Sequence, residues 1–207
     1  MNRIITIGRE FGSGGREIGR RLSEELQIAY YDQEIITKVA NCTRLSEEYI
    51  QRISERRPFI AFPIHIGHSF YPVTDPMIQN GVLVFAEQHR LLEELSKKSD
   101  CIIVGRCADY ILRNMKPFRI FVYADMESKL KRCMERRTEE ENFTEKEMKR
   151  RIEGIDRERA KYYNYFSSRK WGSRDNYDLM ISTSGKNIKQ ASVALAQYLK
   201  ALLFCGF

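Results

Sequence analysis

A glycine-rich turn follows the first apolar run of this 207-residue sequence. The turn lies between a β-branched stretch at 4–7 and a helical apolar period at 16–26. Glycine lets the backbone turn sharply and bring N–H groups against an anion, and a following helix points its positive end at the same place. The pattern therefore predicts a phosphate-binding loop, whose glycines are Gly8, Gly12, Gly14 and Gly15.

The spacing of this loop departs from the common phosphate-loop pattern G-x-x-x-x-G-K-[ST]. Five residues separate Gly8 from Gly14, and Gly15 stands where the lysine should be. Arg16 comes one position later; it can supply the missing cation, or it can lie on the helix surface beside Glu17. A glycine-rich turn that binds no ligand is the other interpretation of the same residues.

Strand-like and helical patterns alternate along the rest of the chain. Short buried strands are predicted at 3–8, 28–31, 101–105, 118–124 and 178–183. Helices are predicted at 16–26, 33–41, 46–54, 82–98, 126–137, 144–163 and 187–203. Residues 57–80 contain four prolines and are predicted to be irregular. This order predicts an α/β fold with a parallel sheet that is covered on both faces.

Composition excludes several classes of protein. We find no apolar run long enough to span a membrane and no signal-peptide pattern. The five cysteines are scattered, which predicts free thiols in a reducing, cytoplasmic compartment and no structural zinc site. The formal net charge of +7 suits either a nucleic acid or a phosphorylated small molecule. Since the chain has no nucleic-acid-binding motif, a nucleic-acid-binding module is the last of the functions we consider.

Four stretches, of which the first contains the loop, resemble a known family when they are read in order. The stretches are GREFGSGGREIGRRLSEEL, YYDQEII, CIIVGRCADYIL and FRIFVYADMESKLKRCMERR, followed by a closing YDLMISTS. Together they resemble the cytidylate kinase-like proteins, a branch of the P-loop nucleoside monophosphate kinases. The resemblance implies a three-layer P-loop kinase fold with a five-stranded parallel sheet, in one domain over 1–207. It also implies an acceptor-side insertion at about 33–98 and a helical lid at about 130–175.

On this resemblance the donor is ATP, with Mg²⁺ bridging its outer phosphates. The donor-binding residues would be Gly12, Ser13, Gly14, Gly15 and Arg16. The residues expected to act in catalysis are Arg16, Arg132 and Arg136. Arg132 and Arg136 share one helical face, so both can close over the transferring group. The alternative for the lid arginines is an exposed helix face on which they pair with Glu135 and Glu139.

Arg106 ends a predicted strand, where an arginine can clamp an acceptor phosphate; a structural salt bridge is the alternative. Asp32 can orient the acceptor hydroxyl or cap the next helix. Asp109 is a further candidate for acceptor binding, or it simply lies on the first turn of a helix. Arg157 and Arg159 either bind the acceptor from the lid or belong to a solvated helix. The aromatic residues at 162–171 are expected to pack in the core or dock the lid rather than stack on a base.

Four positions depart from authentic cytidylate kinases, which have lysine at Gly15, aspartate at Cys107 and lid arginines at Ile155 and Tyr162. The expected function is ATP-dependent phosphoryl transfer to a small acceptor, with a nucleoside monophosphate as the expected acceptor. A nucleotide-binding sensor or regulator without efficient catalysis is the main alternative. A homo-oligomer is compatible with the sequence.

Overall fold

The computed structural model describes residues 2–47, 50, 76–137 and 143–204. Its centre is a parallel sheet of five strands in the order β2-β3-β1-β4-β5. The strands are β1 Ile4–Arg9, β2 Ala29–Tyr31, β3 Cys101–Val104, β4 Phe118–Tyr123 and β5 Leu179–Ser182. Because β1 lies between β3 and β4, the loop after β1 leaves the middle of the sheet at its carboxyl edge, where open α/β sheets bind ligands.

Seven α-helices accompany this sheet within the described residues. They are α1 Gly15–Leu26, α2 Gln33–Thr43, α3 Pro76–Lys98, α4 Ala108–Ile111, α5 Met126–Glu135, α6 Glu145–Ser167 and α7 Ile188–Leu199. The 3₁₀ turns are Arg113–Met115 and Arg174–Asn176, and a π-helical turn, Lys200–Phe204, follows α7. None of the helices in these ranges is long and apolar enough to cross a membrane.

The sheet divides the core into two parts. On one face, α1 and α7 pack against alternate residues of the central strands, with Ile18 and Leu22 fully buried. On the other face, α2, α3 and α4 pack together with Tyr162 and Tyr163 of α6. Strands that are covered on both faces carry near-continuous apolar runs, which is why IIVG and FRIFVY are readable in the sequence.

The predicted α/β architecture and parallel sheet are confirmed, and the differences lie at element ends. The third helix begins at Pro76, whereas residues up to 80 were expected to be irregular. Proline suits the first turn of a helix, because its fixed φ is helical and its missing N–H needs no partner there. The predicted helix at 46–54 lies mostly outside the described residues, as does the predicted irregular segment up to residue 75.

Candidate functional site

The loop between β1 and α1 has glycine where its backbone and its neighbours both require it. Gly12 and Gly14 have φ of 75° and 81°, in the left-handed region that disfavours other residues. A Cβ at Gly14 would lie 2.6 Å from Ile188 Cδ1, and a Cβ at Gly12 would lie 2.9 Å from Cys133 Sγ. Ser13, between these two, is fully buried and donates its hydroxyl to Glu10 O at 2.8 Å. The loop is therefore a tight, well-supported turn.

The N-terminus of α1 is open to an anion. Gly14 is its N-cap and supplies no side-chain cap, so the first N–H groups of the helix face the loop. Free N–H groups and the positive end of a helix together favour phosphate. The adjoining cavity of about 480 Å³ has the size of a small-molecule pocket and contains several arginines. These features fit the outer phosphates of a nucleotide. Its arginines are Arg9, Arg16, Arg132, Arg136, Arg151 and Arg159.

Arg9 is a site residue that sequence reasoning missed. A Cβ placed on Gly15 would lie 2.5 Å from Arg9 Cβ, so the Arg9 side chain covers the position of the absent loop lysine. Its guanidinium lies on Gly105, where an added Cβ would meet Nη1 at 1.6 Å. Its only signal in the sequence is a positive charge directly after the first predicted strand, 3–8.

Arg16 lies at the first turn of α1 and is joined to Asp32. Arg16 Nε is 2.5 Å from Asp32 Oδ2, although the Arg16 side chain is 59% exposed and that of Asp32 only 4%. Asp32 stands at the N-cap position of α2 but makes no side-chain cap bond. Its other oxygen, Oδ1, is buried and has no hydrogen-bond partner within the described part of the chain. Because this oxygen is buried, it can accept a hydroxyl only after the groups around it move.

The two arginines predicted for the lid contact the loop and α1, and Glu139, one of their predicted partners, lies outside the described residues. Arg132 donates from Nη1 to Gly12 O at 3.1 Å and from Nη2 to the carbonyl of Thr183. Burial lowers the pKa of Arg132, and nearby Arg136 adds to the effect. Arg136 forms an ion pair with Glu17 of α1. The end of α5 is thus attached both to the glycine loop and to α1.

A buried lysine ties the loop to α6. Lys129 Nζ lies 2.6 Å from Glu10 Oε2 and 2.9 Å from Asp156 Oδ2, and its side chain is 7% exposed. Burial alone would lower the pKa of Lys129, but its hydrogen bonds to Glu10 and Asp156 raise it. The other oxygen of Asp156 accepts the backbone N–H of Phe11 at 2.6 Å. No pattern in the sequence indicates this cluster, because its members lie on three separate segments.

A second, smaller cavity of about 40 Å³ lies at the carboxyl ends of β1 and β3. Its charged residues are Arg9, Arg106, Asp109 and Arg159, and its aromatic residues are Tyr162, Tyr163, Trp171 and Tyr177. Arg106 is 5% exposed and reaches the cavity from a strained turn. The φ values of Gly105, Arg106 and Cys107 are 76°, 60° and 54°. Strain of this kind persists where the surrounding structure fixes it, and it is concentrated at ligand sites.

Asp109 is a buried carboxyl group in this second cavity. Burial raises its pKa, although the hydroxyl of Tyr163, which donates to Asp109 Oδ2 at 2.6 Å, acts in the opposite direction. Burial also raises the pKa of the neighbouring Cys107 thiol, so this cysteine is not activated as a nucleophile. The four cysteines in the described ranges, Cys42, Cys101, Cys107 and Cys133, form no disulfides.

The two predicted α6 arginines lie in different places. Arg159 lines both cavities, with its guanidinium 5.6 Å from the centre of the Phe11 ring. Arg157 is exposed and lines neither of the two cavities. The aromatic residues of α6 pack as expected. Phe166 stacks on Phe85 with ring centres 4.0 Å apart, and Tyr162 is 3% exposed.

The arrangement can hold two anionic groups that meet at shared arginines. The first cavity follows the phosphate loop, the second lies beside it, and Arg9 and Arg159 line both. In the described ranges, no group of three or more histidine, cysteine, aspartate or glutamate side chains is placed to hold a metal ion.

Comparisons with known proteins agree with this geometry. Residues 4–185 match the model of the cytidylate kinase-like family. No curated protein matches the chain. Among solved structures, an uncharacterized protein from Eubacterium ventriosum is 26% identical, with a TM-score of 0.68 over 97% of this chain and 99% of that one.

Two enzymes with lower identity share the fold. Shikimate kinase from Acinetobacter baumannii, in complex with shikimate, is 15% identical, with a TM-score of 0.54 over 98% of this chain and 95% of that one. Shikimate kinase from Bacteroides thetaiotaomicron is 12% identical, with a TM-score of 0.56 over 97% of this chain and 98% of that one. The predicted P-loop kinase fold is therefore confirmed.

Proposed function

The chain belongs to the cytidylate kinase-like family, and from this premise we propose that it transfers a phosphoryl group from ATP to a small acceptor, with a nucleoside monophosphate as the expected acceptor. One observation carries the proposal: the cavity at the phosphate loop and the cavity at the ends of β1 and β3 share Arg9 and Arg159. Phosphoryl transfer needs a donor and an acceptor that meet at one point, with positive charge around it.

On the donor side, the backbone from Gly12 to Gly15 and the N-terminus of α1 would hold the outer phosphates of ATP. Mg²⁺, when bound with the nucleotide, would supply further charge neutralisation. Arg132 fixes the loop through Gly12 O, so it would keep the backbone donors aimed at the phosphates. Arg136 would have to leave Glu17 to reach a phosphate.

On the acceptor side, Arg106 is proposed to clamp an anionic group, and Asp32 Oδ1 to accept the acceptor hydroxyl. Asp109 would fix the position of Tyr163 beside them. The cavity of about 40 Å³ is smaller than ordinary small-molecule pockets, so entry of the acceptor requires its lining to open. Arg157, exposed on α6, remains proposed as a lid residue that acts on closure.

A nucleotide sensor is the second candidate, and a specific contact favours it. The Phe11 N–H, which begins the glycine turn, already donates to Asp156, and Gly15 lacks the usual lysine. A loop with one N–H group already committed can bind a nucleotide without efficient transfer. A cytoplasmic location and a homo-oligomer both stay predictions, and the nucleic-acid hypothesis still rests on net charge alone.

The test is ADP release from ATP and Mg²⁺ against a panel of nucleoside monophosphates and small hydroxyl acids, with ATP binding measured in parallel. The matched control is Gly14→Ala, purified in the same way, because it alters the loop and reveals contaminating kinases. Acceptor-dependent turnover that the control lacks would support the kinase and name its acceptor. ATP binding without turnover would favour the sensor, and absence of ATP binding would overturn both.

A further inference from the structure

The position of the absent lysine is filled by another cationic side chain. In a phosphate loop, the lysine follows the last glycine of the turn and reaches the outer phosphates. Here that residue is Gly15, and an added Cβ would lie 2.5 Å from Arg9 Cβ and 3.2 Å from Arg9 Cγ. The Cβ of a lysine at this position would therefore clash with Cβ and Cγ of Arg9. The two side chains exclude one another.

A second glycine leaves room for the end of the Arg9 side chain. Its guanidinium lies against Gly105 at the end of β3, where an added Cβ would meet Nη1 at 1.6 Å and Cζ at 2.6 Å. The side chain thus runs from the phosphate loop to the neighbouring strand end, between two positions that lack side chains. Its backbone belongs to β1, the central strand, which gives the guanidinium a rigid base.

We infer that Arg9 replaces the loop lysine and binds the phosphate that is transferred, at the junction of the donor and acceptor cavities. This inference rests on the proposed function, because it concerns the same ATP site. Arg9 lines both cavities, as a group on the transferring phosphate must. A guanidinium can bond two phosphate oxygens at once, whereas lysine acts as a single point charge.

Other arginines around the loop are engaged differently. The guanidinium of Arg16 is turned to Asp32, with Nε 2.5 Å from Oδ2. Arg132 donates to the carbonyl of Gly12, so it supports the backbone of the loop, and Arg136 is paired with Glu17. Arg9 is thus better placed than Arg16, the residue that the sequence suggested for this role.

The experiment compares ATP, ADP and adenosine binding by titration calorimetry for the wild type, Arg9→Met and Arg20→Met. Methionine keeps most of the stem that covers Gly15 and removes the charge. Arg20 is the matched control, since it lies on α1 and pairs with Glu24 on the exposed surface. If Arg9→Met does not fold, Arg9→Gln, whose side chain is neutral and shorter than that of arginine, takes its place.

We expect Arg9→Met to weaken ATP binding by about ten- to a hundredfold, as loss of a charge-assisted hydrogen bond does. ADP should be affected less and adenosine not at all, and Arg20→Met should match the wild type. An unchanged ATP affinity in Arg9→Met, or an equal loss for ATP and adenosine, would overturn the inference and leave the proposed function standing. A wild type that does not bind ATP would instead overturn the proposed function.

Discussion

Arg16 Nε lies 2.5 Å from Asp32 Oδ2, and this ion pair joins the first turn of α1 to the end of β2. In the proposed function, Arg16 belongs to the donor side and Asp32 to the acceptor side. The Asp32 carboxylate is 4% exposed, and the Arg16 guanidinium is its ion-pair partner. The contact would therefore couple the two proposed sides of the site.

We expect Arg16→Ala and Asp32→Asn each to lower phosphoryl transfer, and the double variant to lose less than the sum of the two. Contacting residues show coupling of about 0.5–3 kcal/mol. The measurement is a double-mutant cycle on kcat/KM, with thermal unfolding as the control for folding. Strictly additive losses would show that the ion pair does not act in turnover.

Arg106 should act on the acceptor rather than on ATP, because it is 5% exposed in the second cavity and does not line the cavity at the loop. We expect Arg106→Ala to raise the acceptor KM by about ten- to a hundredfold while the Kd for ATP changes little. Arg113→Ala, an exposed arginine on the next turn, is the matched control. Equal effects on acceptor and ATP would contradict the assignment.

Gly14 should not tolerate a side chain. Its φ of 81° makes alanine unfavourable by about 1–2 kcal/mol, and the new Cβ would press on Ile188. We expect Gly14→Ala to lose ATP binding and to unfold at lower urea concentration. Gly154 of α6 has open space around it, so Gly154→Ala should stabilise the protein by up to about 1 kcal/mol. A Gly14→Ala protein that binds ATP normally would show that the loop geometry is not required.

Lys129 should be the most sensitive lysine of α5. Removing it leaves the Glu10 and Asp156 carboxylates facing each other with little solvent, which costs on the order of 3 kcal/mol. We expect Lys129→Met to lower the free energy of unfolding by roughly that amount, measured by urea denaturation. Lys131→Met, on the exposed face of the same helix, should be close to neutral. Similar midpoints for the two variants would mean that the cluster contributes little.

The buried carboxyl of Asp109 predicts a pH dependence of stability. Burial raises its pKa in the folded state, so between the unfolded and folded pKa values the folded protein binds more protons. Stability contributed by this group is therefore lost as pH rises from about 4 toward neutrality. Asp109→Asn keeps an acceptor for Tyr163 and cannot titrate. Its stability relative to the wild type should grow between about pH 4 and pH 7 in urea denaturation; a constant difference would contradict the prediction.

The sequence by itself determined the features that depend on neighbouring residues. Apolar periods predicted the strands and most helices, and the spacing of Gly12 and Gly14 predicted a turn that favours glycine. The end of β3 placed Arg106 at the ligand edge, since parallel strands end on the same side. These predictions succeeded because periodicity and backbone strain are local.

Only the tertiary structure decided which charges meet. Arg9, Gly15 and Gly105 come together because β1 and β3 are adjacent in the sheet, although β3 follows β1 by a long stretch of chain. Lys129 and Asp156 meet beside the loop for a similar reason, since α5 and α6 both pack over it. A charged residue has many possible ion-pair partners along the sequence. The partner it contacts is the one that the packing of helices and strands places beside it. The sequence therefore suggested Arg16 for the missing lysine, while the fold places Arg9 over Gly15.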